Sequence, residues 1–236
     1  MMWLWLIFFS FSVSPLFSSA VTGRVTLKDS HDPAVRKRLD YSGVVVSLTP
    51  VQGTAPLPAN AHATMLQTNK TFSPHVLPVT VGTTVDFPNA DPIFHSAFSS
   101  YNGQIFDVGL YPPGTSRSVR FTREGIVRVF CNIHSSMSAI IVVLGTPYFA
   151  MTKRDGSFTI PDVPPGEYQL RAFHERATEA TLHALNQRVT VAKEPLAIPT
   201  IVISEAGYLP MPHTNKYGRE YPAPPDDRTI YPAVRQ

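Results

Sequence analysis

Residues Gly125 to Leu144 read G-I-V-R-V-F-C-N-I-H-S-S-M-S-A-I-I-V-V-L. The stretch predicts two strands and a short loop between them. Before the loop, Val127, Val129 and Cys131 fall on one strand face and Arg128 on the other, since side chains alternate along a strand. Cys131 is therefore expected to point with the valines into a core. After the loop, Ser138 to Leu144 is nearly all apolar and β-branched, as in a buried strand. The loop carries Cys131, His134 and Met137 at intervals of three, and Cys131 is the only cysteine in the chain.

A thiolate, an imidazole and a thioether are the donor types of a copper site. Soft sulfur suits Cu(I), and two histidines, one cysteine and a weak, long axial methionine make the blue-copper set. That set needs a second histidine. His95 lies 36 residues before Cys131, in V-D-F-P-N-A-D-P-I-F-H-S. Zinc is the competing metal, but its sites are built from Cys, His and carboxylates, and neither a second Cys nor a His-x3-His pair is present. A single cysteine also excludes a disulfide framework and a four-cysteine cluster. Cys-x2-His is not the Cys-x-x-Cys-His haem signal, and the paired histidines of multicopper oxidases are missing.

Cys-x2-His-x2-Met, preceded by a histidine after an F-x-N-x-D segment, resembles the cupredoxin family. The short ligand loop is most similar to the amicyanin group, since plastocyanin-type loops are longer before the methionine. The resemblance covers residues 63–145. It implies a Greek-key β-sandwich holding one copper that cycles between Cu(II) and Cu(I), with His95, Cys131, His134 and Met137 as ligands. Ser96 stands where this family usually has an asparagine that ties the two ligand loops together. Ser96 and Asn132 are the expected supports behind the ligands. The family's arrangement further implies that His134 reaches the surface within an apolar docking patch, here Pro92, Ile93, Phe94 and Ile133.

The rest of the chain fits an all-β protein. Among 236 residues there are 23 prolines and 13 glycines, a bias towards strands and turns. Strands are expected at Val21–Leu27, Gly43–Thr49, Ala63–Gln67, Val76–Val81, Thr84–Pro88, Ser116–Phe121, Ile126–Cys131 and Ala139–Leu144, with turns at Gly82, Asn102-Gly103, Pro112-Pro113-Gly114 and Glu124-Gly125. Short strands at this spacing predict a sandwich. Only 16% of residues are charged, the net charge is +3 and the basic residues are scattered, so no nucleic-acid partner is expected.

Residues 1–20 are apolar and end in Ser18-Ser19-Ala20, which predicts an export signal cleaved near Ala20. No Lys or Arg precedes the apolar run, and an uncleaved anchor is the alternative. No transmembrane segment is expected in the mature chain, which is placed in the periplasm or outside the cell.

Thr152 to Ala172 reads T-K-R-D-G-S-F-T-I-P-D-V-P-P-G-E-Y-Q-L-R-A. Asp155-Gly156 predicts a hairpin, and Pro164-Pro165-Gly166 a turn into a strand over Glu167–Phe173. This run resembles the carboxypeptidase regulatory-like, transthyretin-like β-sandwich. The two strands that open such a module are missing just before Thr152 and stand instead at Val21–Leu27 and Gly43–Thr49. The expected organisation is therefore an inserted sandwich. Residues 21–53 and 147–205 build the outer one, and residues 61–146 the copper one. Ala180–Val191 and Ile198–Ser204 complete the outer module, with a short helix within Glu175–Leu185. The tail, 206–236, is rich in proline and tyrosine and is expected to be extended along a surface. The remaining histidines, His31, His62, His75, His174, His183 and His213, carry no partner spacing, and ordinary surface or core roles are expected.

The functional expectation is an electron carrier and not an enzyme. No nucleophile elbow or His-x-x-Glu pair suggests hydrolysis. Its partner would be a redox protein. The whole chain resembles copper proteins of the methylamine-utilisation type, which implies a periplasmic dehydrogenase or a cytochrome as that partner. The alternative is a copper-handling or surface binding module whose metal is structural or in transit.

Overall fold

The computed structural model describes residues 18–100, 103–210 and 213–221. The expected signal, save its last three residues, lies outside them, as do Asn102 and residues 211–212 and 222–236 of the tail.

Two β-sandwiches make up the fold. The chain starts in the outer one with β1 (Ser19–Lys28), a short helix α1 (Pro33–Arg38) and β2 (Val45–Pro50). It then builds the inner one from β3 (His62–Thr64), β4 (Leu66–Thr68), β5 (Thr71–Ser73), β6 (Val76–Thr80), β7 (Thr84–Pro88), β8 (His95–Ser99), β9 (Phe106–Tyr111), β10 (Ser116–Arg120), β11 (Gly125–Phe130) and β12 (Ser138–Leu144). It returns to the outer one with β13 (Phe149–Met151), β14 (Ser157–Val163), β15 (Gly166–Phe173), α2 (Glu179–Ala184), β16 (Gln187–Val191), β17 (Leu196–Ala197) and β18 (Ile201–Ser204).

The pairing shows how the chain leaves and returns. In the outer sandwich one sheet has the order β14-β1-β17, with β18 also on β1, and the other β13-β2-β15-β16. Thus β1 pairs with β14, and β2 with β13 and β15. Neither opening strand pairs with β11, whose neighbours are β12 and β8. The core between the two outer sheets includes Val21, Val25, Val46, Leu48, Ile160 and Leu170.

The inner sandwich sets a three-stranded sheet, β10-β7-β3, against a five-stranded one, β6-β12-β11-β8-β9. Its core includes Met65, Val85, Phe87, Tyr111, Phe121, Val127, Val129, Cys131 and Ile141. The continuous apolar run of β12 has a plain cause. Ala139, Ile141 and Val143 face that core. Ile140, Val142 and Leu144, on the other face, pack with Val45 and Val76 into a separate cluster shared with the outer sandwich. On β11, Val127 and Val129 face the inner core and Arg128 between them is exposed, as the alternation predicts.

Asp32 caps α1, accepting from the Ala34 N–H at 2.7 Å, with Pro33 opening the helix. The Asp155-Gly156 turn forms, closed by the Gly156 N–H on the Lys153 carbonyl at 2.9 Å. Its flanking strands nevertheless part, β13 to β2 and β14 to β1. Gly156 has φ +80°, and a Cβ there would lie 2.0 Å from the Val25 carbonyl oxygen. Any larger residue would break that crossing. The expected short helix within Glu175–Leu185 forms as α2, which Thr178 caps by accepting from the Thr181 N–H at 3.1 Å, and β16 follows it. β1 begins at Ser19, with Ala20 as its second residue.

Candidate metal centre

The ligand loop is shaped by its own backbone. The Cys131 N–H donates to the Met137 carbonyl at 3.2 Å, and the Met137 N–H to the His134 carbonyl at 3.1 Å. The first bond closes the loop between β11 and β12; the second folds it over Ser135 and Ser136, which are exposed. Spacings of three therefore turn Cys131, His134 and Met137 back towards one point. Cys131 and Met137 are fully buried in the inner core.

The fourth residue arrives from the neighbouring strand. His95 is the first residue of β8, which pairs with β11 at Phe98 and Phe130. As a strand residue it is held in the sheet and is 0% exposed. Its Nδ1 lies 3.1 Å from His134 Nδ1 and 3.9 Å from Cys131 Sγ, and His134 Nδ1 lies 3.7 Å from the same sulfur. The three donor atoms lie within 4.8 Å of one another. Metal–nitrogen bonds of about 2.0–2.1 Å and metal–sulfur bonds of about 2.3 Å are typical of first-row ions. Each spacing is shorter than the sum of its two bonds, so one ion can touch all three.

The surroundings prepare these atoms. Burial works to raise the Cys131 thiol, but hydrogen bonds from His134, His95 and the backbone at Ile133 and Ser96 outweigh it and bring the thiol down to about 5. A thiolate is thus the resting form at neutral pH, and the thiolate is the metal ligand. Burial likewise works to lower His95; its bonds to Cys131 and Asp91 outweigh that and raise it. Ser96 Oγ accepts the Asn132 N–H at 2.7 Å and lies 3.7 Å from Cys131 Sγ. It therefore ties the two ligand segments together, in the place where an asparagine was expected.

Asp91 was missed at the sequence level. One carboxylate oxygen accepts from His95 Nε2 at 2.8 Å and from the Lys70 N–H at 2.8 Å; the other accepts from the Asn69 N–H at 2.6 Å. Burial opposes the charge, but the Lys70 N–H, the His95 ring and the Asn69 N–H outweigh it and hold the carboxyl below its usual value.

The tail was also underestimated. His213 stacks on Phe130 at 4.1 Å and its Nε2 donates to the Ser135 carbonyl at 2.9 Å. The Lys216 N–H donates to Asn132 Oδ1 at 3.0 Å, and Tyr221 Oη to the Cys131 carbonyl at 2.8 Å. Residues 213–221 therefore lie against the ligand loop, where Asn132 meets the tail through its side chain and Ser96 through its N–H. The expected apolar patch is smaller than the sequence implied. Pro92 is exposed, and Phe94, Ile133 and His134 are half-buried. Ile93, however, is only 7% exposed and cannot line a surface.

No protein-family model and no curated protein matches the sequence. Solved structures do align with part of it. A purple cupredoxin from Nitrosopumilus maritimus is 25% identical, over 36% of this chain and all of that one, with a TM-score of 0.32. A copper-containing nitrite reductase from Thermus scotoductus is 26% identical, over 51% of this chain and 28% of that one, with a TM-score of 0.34. A reduced amicyanin variant is 18% identical, over 42% of this chain and 98% of that one, with a TM-score of 0.34.

Proposed function

We propose that the chain is an exported protein that holds one copper ion and carries single electrons between redox partners outside the cytoplasm. The observation that carries this reading is the convergence of His95 Nδ1, His134 Nδ1 and Cys131 Sγ on one point beside a buried Met137. Two imidazoles, a thiolate and a thioether select copper over harder ions. When bound, copper supplies a one-electron couple.

The residues supply the rest. Cys131 would bind as the thiolate that its surroundings already favour. His95 presents Nδ1, because Nε2 is committed to Asp91. Met137 would supply the weak thioether donor, and the loop closed by the Cys131 and Met137 backbone bonds would limit rearrangement between oxidation states. His134, half-buried at the ligand loop, is the point of electron entry. Small apolar patches suit weak, quickly exchanging partners, and a periplasmic dehydrogenase or a cytochrome fits that role. Residues 21–53 and 147–205 form the outer module that displays residues 61–146 as an inserted copper-binding sandwich. Export is supported by the apolar segment ending at Ser18-Ser19-Ala20.

The test is to purify the protein from its exported fraction with copper and record its visible and electron-paramagnetic spectra, followed by a reversible one-electron titration. An intense visible band with a stable couple supports the carrier. Copper that passes readily to a chelator without a stable couple means a copper-handling module instead.

A further inference from the structure

The Asp91 carboxylate holds three donors at once. Two are the backbone N–H groups of Asn69 and Lys70, at 2.6 and 2.8 Å, and the third is His95 Nε2, at 2.8 Å. Asn69 and Lys70 both have positive φ, +53° and +55°, and form the turn between β4 and β5. Asp91 is 8% exposed, and its own N–H is fixed by the Asn89 side chain at 3.0 Å. The acceptor is thus anchored from both sides before it meets the imidazole.

Resting on the copper reading above, we infer that Asp91 is the positioning residue of the site. It sets the tautomer and ring orientation of His95 and makes that imidazole a stronger donor. An ionised carboxylate can only accept, so Nε2 must carry the proton and Nδ1 must offer its lone pair. Nδ1 is the atom that faces Cys131 Sγ and His134 Nδ1. A carboxylate behind a ligating histidine also raises its basicity, and losing such a partner typically costs about 10–100-fold in metal affinity. A more basic imidazole favours the higher charge of Cu(II) over Cu(I), so Asp91 also holds the reduction potential down.

The bland alternative is that Asp91 only anchors the turn. Asp91→Asn separates the two. The carboxamide oxygen can still accept from a turn N–H, but its NH2 would face Nε2 as a donor and drive the proton to Nδ1. Cu(II) and Cu(I) affinities, by chelator competition, and the reduction potential would be measured for wild type and Asp91→Asn. Thr71→Val serves as a control, loosening the same turn by removing the Thr71 Oγ1 bond to the Thr68 carbonyl, at 2.7 Å, without removing a donor to Asp91. Asp91→Asn is expected to lose about 10–100-fold in Cu(II) affinity, less for Cu(I), and to gain about 59 mV in potential for each tenfold difference between the two losses. Thr71→Val is expected to melt earlier with its potential unchanged. Wild-type affinity and potential in Asp91→Asn would overturn the inference, and so would the full shift in Thr71→Val. If Asp91→Asn does not accumulate folded, Asp91→Glu takes its place: a smaller shift in the same direction supports the role and none refutes it. A wild-type protein that binds no copper refutes the functional reading itself, a result distinct from all of these.

Discussion

Tyr221, ninety residues beyond the metal loop, donates its phenolic hydrogen to the carbonyl oxygen of Cys131 at 2.8 Å. The same hydroxyl lies 3.2 Å from His213 Nδ1, and the two rings meet edge to face at 5.2 Å. The tail is thus fastened to the peptide of the proposed sulfur ligand and not to a distant surface. Tyr221→Phe removes one hydrogen bond of about 0.5–1.5 kcal/mol and leaves the ring. The tail of this variant should be cut faster by protease between residues 213 and 221, while the visible spectrum of the copper form stays in place. An unchanged cleavage rate would mean the bond holds nothing down.

The ligand set is tested by two changes with opposite outcomes. Cys131→Ser should abolish the intense colour of the oxidised protein, because that band is charge transfer from thiolate sulfur. Met137→Leu should keep copper and colour, while the reduction potential rises as a soft donor to Cu(II) is lost. Both should fold, since the inner core holds many apolar side chains besides these two. Full colour in Cys131→Ser would end the blue-copper assignment.

His75 links the two sandwiches. Its Nε2 meets Glu175 at 2.7 Å and its Nδ1 the Ser138 carbonyl at 3.1 Å. The Glu175 hydrogen bond, opposed by burial, raises His75 above its usual 6.5. A histidine raised in the folded state adds stability that is fully present below about pH 6.5 and is lost as pH rises through the folded value. The melting temperature of His75→Gln should therefore fall below wild type at pH 5.5–6, and the gap should close on going to pH 9. With the side chain 48% exposed, the gap is small and shrinks with added salt. A gap that widens with pH would reverse the assignment.

A fragment spanning residues 61–146 should fold and bind copper, because every residue of the inner core lies within it. It would also uncover Val76, Ile140, Val142 and Leu144, which meet Val45 in the intact chain. The fragment should therefore self-associate at concentrations where the full chain is monodisperse, as light scattering would report. Failure to fold would show that the sandwich needs its outer neighbour.

How much of this was readable beforehand depends on the element. β12 was legible because burial on both faces writes an unbroken apolar run, and β11 because exposed Arg128 alternates with buried Val127 and Val129. β8 was not. Its residues, H-S-A-F-S, are all buried, yet three are polar because His95 and Ser96 serve the metal loop. β9 hides behind Gly109, whose φ of +71° and bond to the Asp107 side chain break the period. Of the site, Cys131, His134, Met137 and His95 stood out by residue type and spacing. Asp91 was in view within the same segment, but outside a helix a spacing of four says nothing about contact. Tyr221 and His213 met the loop only through the fold, which no local pattern encodes.

The return of the chain to the outer sandwich has a thermodynamic consequence. Thr146 Oγ1 donates to the Leu48 carbonyl at 2.8 Å although the two are 98 residues apart, and Phe149 pairs with Ser47. Were the intervening chain unfolded, closing so long a loop would cost about 4 kcal/mol of entropy. A folded insert has already brought its ends together, so the β2–β13 ladder forms almost as if it were local. Whatever tightens the insert is then felt by a ladder that lies outside it. Amide exchange at Val46 and Leu48 should slow when the metal loop is loaded, by the same free energy that copper adds to the insert whenever those amides open through the insert's own unfolding.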